Sequence, residues 1–424
     1  MAKFKEFEST IIGGDDSSQD PASDQAATAD VPFVRLKPRK AQPFFGRHPW
    51  VLSQGVDEVE KRASNGDVVQ LLTDKGKFIA YGILNFHSRI RVRLYSFDHS
   101  KPITDEFWKE KIEAALALRK QINYMDEEGG CRLISSEADG LSGLIVDRYG
   151  KHIVVQITAL AIHVRLDMFI GFLQELLEPE SISIRSESGM AKAEGIEIEP
   201  GVIAGTFPEE GIVLKENDTL FGIDLTQGQK TGYYLDQSEN RAAAAKYMKD
   251  RTVLDMFSYT GGFGITAAKI GGAKEVTCVD GSGFAIKGAE KNAERNGLTN
   301  VTCVEADCFD QLKERAEAGE KYGAVILDPP KFTRTRRNID EALKAYYFVN
   351  RQAVRLLEPG GILVTCSCSG NVTAEDFRMM LLGVAQKTGR DIQVLEQRGA
   401  SPDHPVSVTC MENEYLKCYI CCVR

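Results

Sequence analysis

From about Arg241 to the end, apolar strand-like runs alternate with helical stretches. TVLDMF, EVTCVD, VTCVEAD, AVILDPP and GILVTCS are separated by a helix after Gly261, one from about Phe284 to Asn296, and one near Asp340–Leu357. Strands apolar on both faces and interleaved with helices predict a parallel sheet covered on both sides. The closing EYLKCYICCV run predicts one or two more strands.

The preceding chain has a different texture. Residues 32–101 hold the short runs VVQLLTD, FIAYGIL and IRVRLYSF, broken by Asn65-Gly66-Asp67 and Lys75-Gly76-Lys77. This predicts a small β domain of the size of an RNA-binding barrel. Thr104 or Asp105 can cap a helix through Gln121, with Phe107, Ile112, Ala115, Leu116 and Leu118 at helical spacing. Up to residue 226 the pattern is mixed α/β: strands near Leu141–Asp147, His152–Thr158, Ser181–Ser186 and Phe221–Leu225, and a helix near His163–Leu177. With 424 residues, two or three domains are expected.

Composition changes this picture in two places. The formal net charge of −9 argues against an RNA partner until its distribution is considered. Residues 1–31 carry seven acids against two lysines, a net of −5, in a Ser- and Ala-rich segment that predicts a disordered tail. Basic residues cluster elsewhere: Arg35, Lys37, Arg39, Lys40 and Arg47 occur in a stretch without acids, Arg89, Arg91 and Arg93 alternate, and Lys331, Arg334, Arg336 and Arg337 follow a DPP turn. Such patches neutralise phosphates whatever the total charge. The ten cysteines lie mostly in apolar runs, and no long apolar segment suggests a leader or a membrane span. The expectation is a cytoplasmic protein with reduced thiols.

LDMFSYTGGFG turns from a buried strand through Gly261 and Gly262 into a helix, where a side chain would block a cofactor's approach. Asp255 ends that strand, Asp280 ends the next, in position for ribose hydroxyls, and Asp307 the third, in position for an adenine amino group. Three acids at the carboxyl ends of successive strands suit S-adenosyl-L-methionine, whose sulfonium is cationic. NAD also uses a second-strand acid, but the pyrophosphate-binding GxGxxG is absent.

Asp328-Pro329-Pro330-Lys331-Phe332 closes the fourth strand with a stiff turn whose acid and carbonyls can accept hydrogen bonds from a base, and whose aromatic can stack on it. Cys366 and Cys368 follow the fifth strand. Carbon 5 of a pyrimidine is a poor nucleophile, and thiolate addition at carbon 6 is the usual way to activate it. The competing reading is that these thiols pack as small hydrophobes. Zinc at Cys418-Tyr-Ile-Cys421 would need a second pair, which Cys366 and Cys368 do not match, so no metal is expected. His48 in GRHPW suits either an RNA-contacting loop or a packed turn; His404 reads as structural.

The motifs LKPRK with GRHPWV, DGLSGLIVDRYG, GQKTGYYLDQSENR, DMFSYTGGFG, LDPPKF, VTCSCSG and DHPV with EYLKC, in this order, resemble the bacterial large-subunit ribosomal RNA cytosine-5 methyltransferase family, from about residue 33 to 424. The resemblance implies a disordered acidic tail over 1–31, a PUA-like β-barrel over 32–101, a central α/β domain over 102–226, and a Rossmann-like class I methyltransferase domain over 227–424. The last would carry a mostly parallel seven-stranded sheet.

By position, Asp255, Phe257, Ser258, Tyr259, Gly261, Asp280, Asp307 and Asp328 would line the cofactor. Asp328 would also meet the target base, with Cys366 the first choice of nucleophile and Cys368 the second. Lys230, Tyr234, Lys331, Phe332, Arg39, Arg47 and His48 would contact RNA. The expected reaction is methylation of a cytosine in 23S RNA through a covalent cysteine adduct. Guanine or exocyclic-amine methylation, and a non-catalytic assembly factor, are the rivals. The expected partner is large-subunit ribosomal RNA, with no membrane, and a homodimer is admitted as the oligomeric state.

Overall fold

The computed structural model describes residues 30–186, 188–208, 211–224, 232–333 and 338–424. The expectation for the acidic tail therefore falls, but for its last two residues, outside the described residues. The chain divides into two compact units, up to Phe107 and from Trp108 onward.

The first unit is a six-stranded sheet in the order Trp50–Leu52, Ile90–Ser96, Phe78–Leu84, Val68–Leu72, Phe33–Leu36, Val56–Val59. All neighbours are antiparallel except Phe33–Leu36 against Val68–Leu72. Val34, Leu36, Val51, Val69, Leu71, Leu84 and Val92 form its dry interior. The three arginines of IRVRLYSF and its flank do not share an open face. Arg93 is buried opposite Trp50, while the Arg91 guanidinium lies over the Phe86 ring and donates to the Asn85 carbonyl. Arg39 and Arg47 are exposed at turns, both in left-handed backbone.

The helix Asp105–Gln121 carries the chain into the second unit, and Thr104 Oγ1 accepts from the Phe107 amide at its start. A five-stranded sheet follows, ordered Gly201–Gly205, Ser181–Arg185, His152–Ile157, Leu144–Tyr149, Gly130–Ser135. Only His152–Ile157 and Ser181–Arg185 run parallel, across the helix Leu166–Leu177. The hairpin Ile212–Glu216 and Thr219–Ile223 comes next.

The seven-stranded sheet positions the site. Its strands are β1 (Thr252–Met256), β2 (Glu275–Asp280), β3 (Val301–Glu305), β4 (Tyr322–Leu327), β5 (Leu357–Ser367), β6 (Ile392–Arg398) and β7 (Lys417–Val423). The helices are α1 (Ser238–Ala245), α2 (Gly262–Lys269), α3 (Gly283–Arg295), α4 (Cys308–Ala318), α5 (Ile339–Leu356) and α6 (Ala374–Thr388). The order is β3-β2-β1-β4-β5-β7-β6, with β7 antiparallel to both neighbours. Two apolar cores sandwich it: Leu254, Val325, Leu327 and Leu363 face α4–α6, and Val253, Ala324, Ile326 and Val364 face α1 and α2. Met256 pairs with Leu327 and Leu327 with Thr365, so β1 and β4 end level, β5 runs two residues further to Ser367, and all three release their loops along one edge.

Charged contacts tie the five-stranded sheet to the loop before β7. Asp403 accepts from the Arg132 amide, and its carbonyl accepts from Arg119, whose guanidinium also holds Asp139 in a buried bidentate pair. His404 is satisfied by the Asp403 carboxylate, the structural role expected for it.

Candidate active site

The loop after β1 is strained. Phe257 and Tyr259 have φ of 61° and 48°, left-handed values that bulky residues rarely adopt without surrounding restraint. Four contacts impose it: the Phe257 amide on Cys308 Sγ (3.4 Å), Ser258 on the Val279 carbonyl (3.0 Å), Tyr259 on Asp280 Oδ2 (2.9 Å) and Gly261 on the Ser258 carbonyl (2.8 Å). Gly261 has φ 82°, and a Cβ there would meet Ile265 at 2.6 Å, so glycine is required. The buried Ser258 hydroxyl has no hydrogen-bond partner among the described residues.

Asp280 is thus a brace as well as an edge acid. Its Oδ1 accepts from the Ser282 amide, and each oxygen keeps a second lone pair able to accept from a ligand hydroxyl. Asp307 Oδ1 caps α4 by accepting from Phe309 and Asp310, which leaves Oδ2 exposed on the same edge.

Asp255 departs from the expected ligand position. It is 1% exposed and points beneath α2, accepting from the Gly264 amide at 2.8 Å through Oδ2, while the buried Oδ1 has no partner among the described residues. Burial pushes its carboxyl up to about 8. The folded value lies above the unfolded one, near 3.8, so its contribution to stability is complete below that value and is lost as pH rises toward 8. Asp255→Asn keeps an acceptor for Gly264 and removes the charge. It should raise stability at pH 8 by roughly a few kcal/mol and change little at pH 4. Thermal unfolding of both proteins at the two pH values checks this; an equal difference at both would mean that Asp255 is ionised throughout.

The GYYLDQ segment lies against this loop. The Tyr234 ring packs edge-on to Tyr259 at 5.5 Å, and the Tyr259 hydroxyl donates to the Gly232 carbonyl. Gln237 Nε2 donates to Asp328 Oδ1 at 3.0 Å, and Gln237 Oε1 accepts from Asn240 at 2.6 Å, so the DPP acid is oriented from behind. Sequence reasoning missed Gln237, Glu216 and Arg241. Lys230 and the arginines 334, 336 and 337 lie outside the described residues. Lys331 is exposed, and half-buried Phe332 packs on Tyr346 at 4.7 Å. His48 Nδ1 accepts from the Trp50 amide and its ring packs edge-on to Trp50, as in a packed turn.

The two cysteines are not equivalent. Cys366 lies inside β5, wholly buried, opposite Cys418 of β7 and among Val364, Ile326 and Ile420. Burial, then Cys418, pushes its thiol well above the usual range. Cys368 lies just beyond the strand and is half-buried, its thiol donating to the Pro329 carbonyl at 4.0 Å. Tyr234, Tyr346 and Lys417 are close enough to feel its charge. The preference for Cys366 is therefore not supported by position, since a thiol inside the sheet has no open approach.

A seven-stranded sheet with β7 reversed, a glycine turn after β1 and acids on β2 and β3 defines a class I S-adenosylmethionine-dependent methyltransferase. The model of the S-adenosylmethionine-dependent methyltransferase family matches residues 202–410, and that of the PUA-like domain matches 34–97. The chain is 38% identical over 377 residues to the ribosomal RNA large subunit methyltransferase I of Aliivibrio fischeri (88% of this chain, 95% of that one). It is 36% identical over 392 residues to that of Klebsiella pneumoniae (92% and 98%). It belongs to the ribosomal RNA large subunit methyltransferase I family, and its cofactor is S-adenosylmethionine. A solved Streptococcus mutans protein, described as SAM-dependent, shares the fold at a TM-score of 0.79 and 20% identity, covering 92% of this chain and 99% of that one. Among the described residues no helix is long and apolar enough to cross a membrane.

Proposed function

We propose that this chain methylates carbon 5 of a cytosine in large-subunit ribosomal RNA, with Cys368 as the nucleophile. The observation that carries the reading is a half-buried thiol at the end of β5, beside the Pro329 carbonyl and within electrostatic reach of Tyr234, on the edge where Asp280 and Asp307 emerge. The Cys368 thiolate would add to carbon 6, making carbon 5 nucleophilic; the cofactor, when bound, would supply the methyl group to carbon 5 and leave as the neutral thioether. A base removes the carbon 5 proton, and the carbon–sulfur bond breaks to return the thiolate.

Asp280 and Asp307 bind the cofactor's ribose and adenine; Phe257, Ser258, Tyr259 and Gly261 shape its loop, with Asp255 bracing it from below. Asp328 and the Pro329 carbonyl accept from the cytosine amino group, and Tyr234 and Phe332 flank the base. An extruded base is required, at a cost of about a few kcal/mol, least where the RNA is already open. Lys230, Lys331, Arg39 and Arg47 supply phosphate contacts, and the PUA-like unit binds RNA.

Nucleoside mass spectrometry of unmodified large-subunit RNA incubated with the enzyme and isotope-labelled methyl donor tests the reading. Labelled 5-methylcytidine is expected. Labelled methylguanosine or methyladenosine would replace it with chemistry that needs no thiol.

A further inference from the structure

Lys417 opens β7 opposite Ser367, one position before the Cys366–Cys418 pair. Its side chain is buried, with the residue 5% exposed, and its ammonium donates to the carbonyls of Ser369 (2.6 Å) and Tyr415 (2.8 Å). Among the described residues no carboxylate lies within ion-pair distance of it. Buried lysines are ordinarily paired, because an uncompensated charge in low dielectric is costly. An ammonium has three donors, and these two carbonyls take only two.

The groups facing Lys417 are Cys368 from the β5–α6 loop, Glu414 from the segment before β7, Lys331 from the DPP turn and Asp376 from α6. Burial brings its pKa down to about 8, so it still carries its charge at neutral pH. One of the carbonyls it grips belongs to the residue immediately after Cys368.

We propose that Lys417 is a positioning residue for methyl transfer, fixing the Cys368 loop through the Ser369 carbonyl and holding Cys368 as its thiolate by charge. The inference rests on Cys368 as the nucleophile. No bond to Lys417 forms or breaks: the thiol proton passes to solvent, and the ammonium keeps its own.

The test is the pH dependence of Cys368 alkylation by iodoacetamide, followed on its own peptide by mass spectrometry, in the wild type, Lys417→Met and Lys417→Arg. The midpoint should rise by about 1 unit or more in the methionine variant, since an adjacent opposite charge shifts a titration by that order. Arginine should restore most of it. Should methionine prevent folding, Lys417→Gln keeps a donor for Ser369, removes the charge, and should give the same shift. An unmoved midpoint would overturn the proposal, since a lysine that merely pins the loop leaves the titration of the thiol where it was. A covalent trap with 5-fluorocytidine-substituted RNA separates the two readings. An adduct on Cys368 with an unmoved midpoint sinks the role of Lys417 alone; an adduct on another cysteine sinks the nucleophile on which it rests.

Discussion

Cys368→Ala is expected to lower methyl transfer by at least about 10³-fold, the order seen when a covalent nucleophile is removed, with S-adenosylmethionine affinity within about twofold of wild type. The cofactor contacts proposed above lie on the loops after β1, β2 and β3, and the side chain lost lies beyond β5. Cys366→Ala should behave in the opposite way. Removing a sulfur from a close-packed position beside Cys418 leaves a small void and lowers stability by about 1 kcal/mol, while turnover changes by less than about tenfold. The two variants, compared by labelled methyl transfer, cofactor calorimetry and thermal unfolding, give a crossed pattern. Turnover by Cys368→Ala above a tenth of wild type would reject it as the nucleophile.

That contrast also marks where the sequence stops being informative. Cys366 and Cys368 are two apart, so strand periodicity puts them on one face. What separates them is that β5 ends at Ser367, which only the pairing with β7 reveals. A thiol within the ladder and a thiol one residue past it have different access and different chemistry.

The strands β1–β5 were legible because each holds a short apolar run, buried on both faces in β1, β4 and most of β5, and set off by helical stretches between them. Helix α4 was not read, because Asp307 was weighed only as a ligand, whereas its side chain caps the helix. Helix α6 carried a readable signal in Thr373 and Asp376, which form a capping box. Strand β6 lies at the sheet edge with four of its seven residues exposed, so its composition gives little apolar contrast. The partners of the GYYLDQ segment come from far along the chain: Gln237 meets Asp328, and Asp236 accepts from Tyr415. Such distant pairings leave no local pattern.

The second large effect is expected from Arg241→Leu. Arg241 of α1 is 3% exposed and binds Glu216 in a fork, Nε to Oε1 at 2.7 Å and one terminal nitrogen to Oε2 at 2.9 Å. The same terminal nitrogen donates to the Tyr234 carbonyl at 2.8 Å, and the guanidinium lies over the Tyr233 ring at 4.5 Å. Removing one partner of a buried pair leaves the other charge uncompensated, at a cost of about 3–5 kcal/mol. For a unit of this size that lowers the unfolding midpoint by roughly 10 °C. Arg241→Leu with Glu216→Leu removes both charges and should recover most of that loss. Activity should not follow. The arginine also anchors the backbone of Tyr234, which packs on Tyr259 of the loop after β1 and lies within electrostatic reach of Cys368, so the double variant should remain slow at temperatures where it is fully folded. Methyl transfer measured against folded fraction distinguishes the two effects. Full activity in a restabilised double variant would mean that Glu216 and Arg241 serve the fold alone and that Tyr234 is held in place by Tyr259 without them.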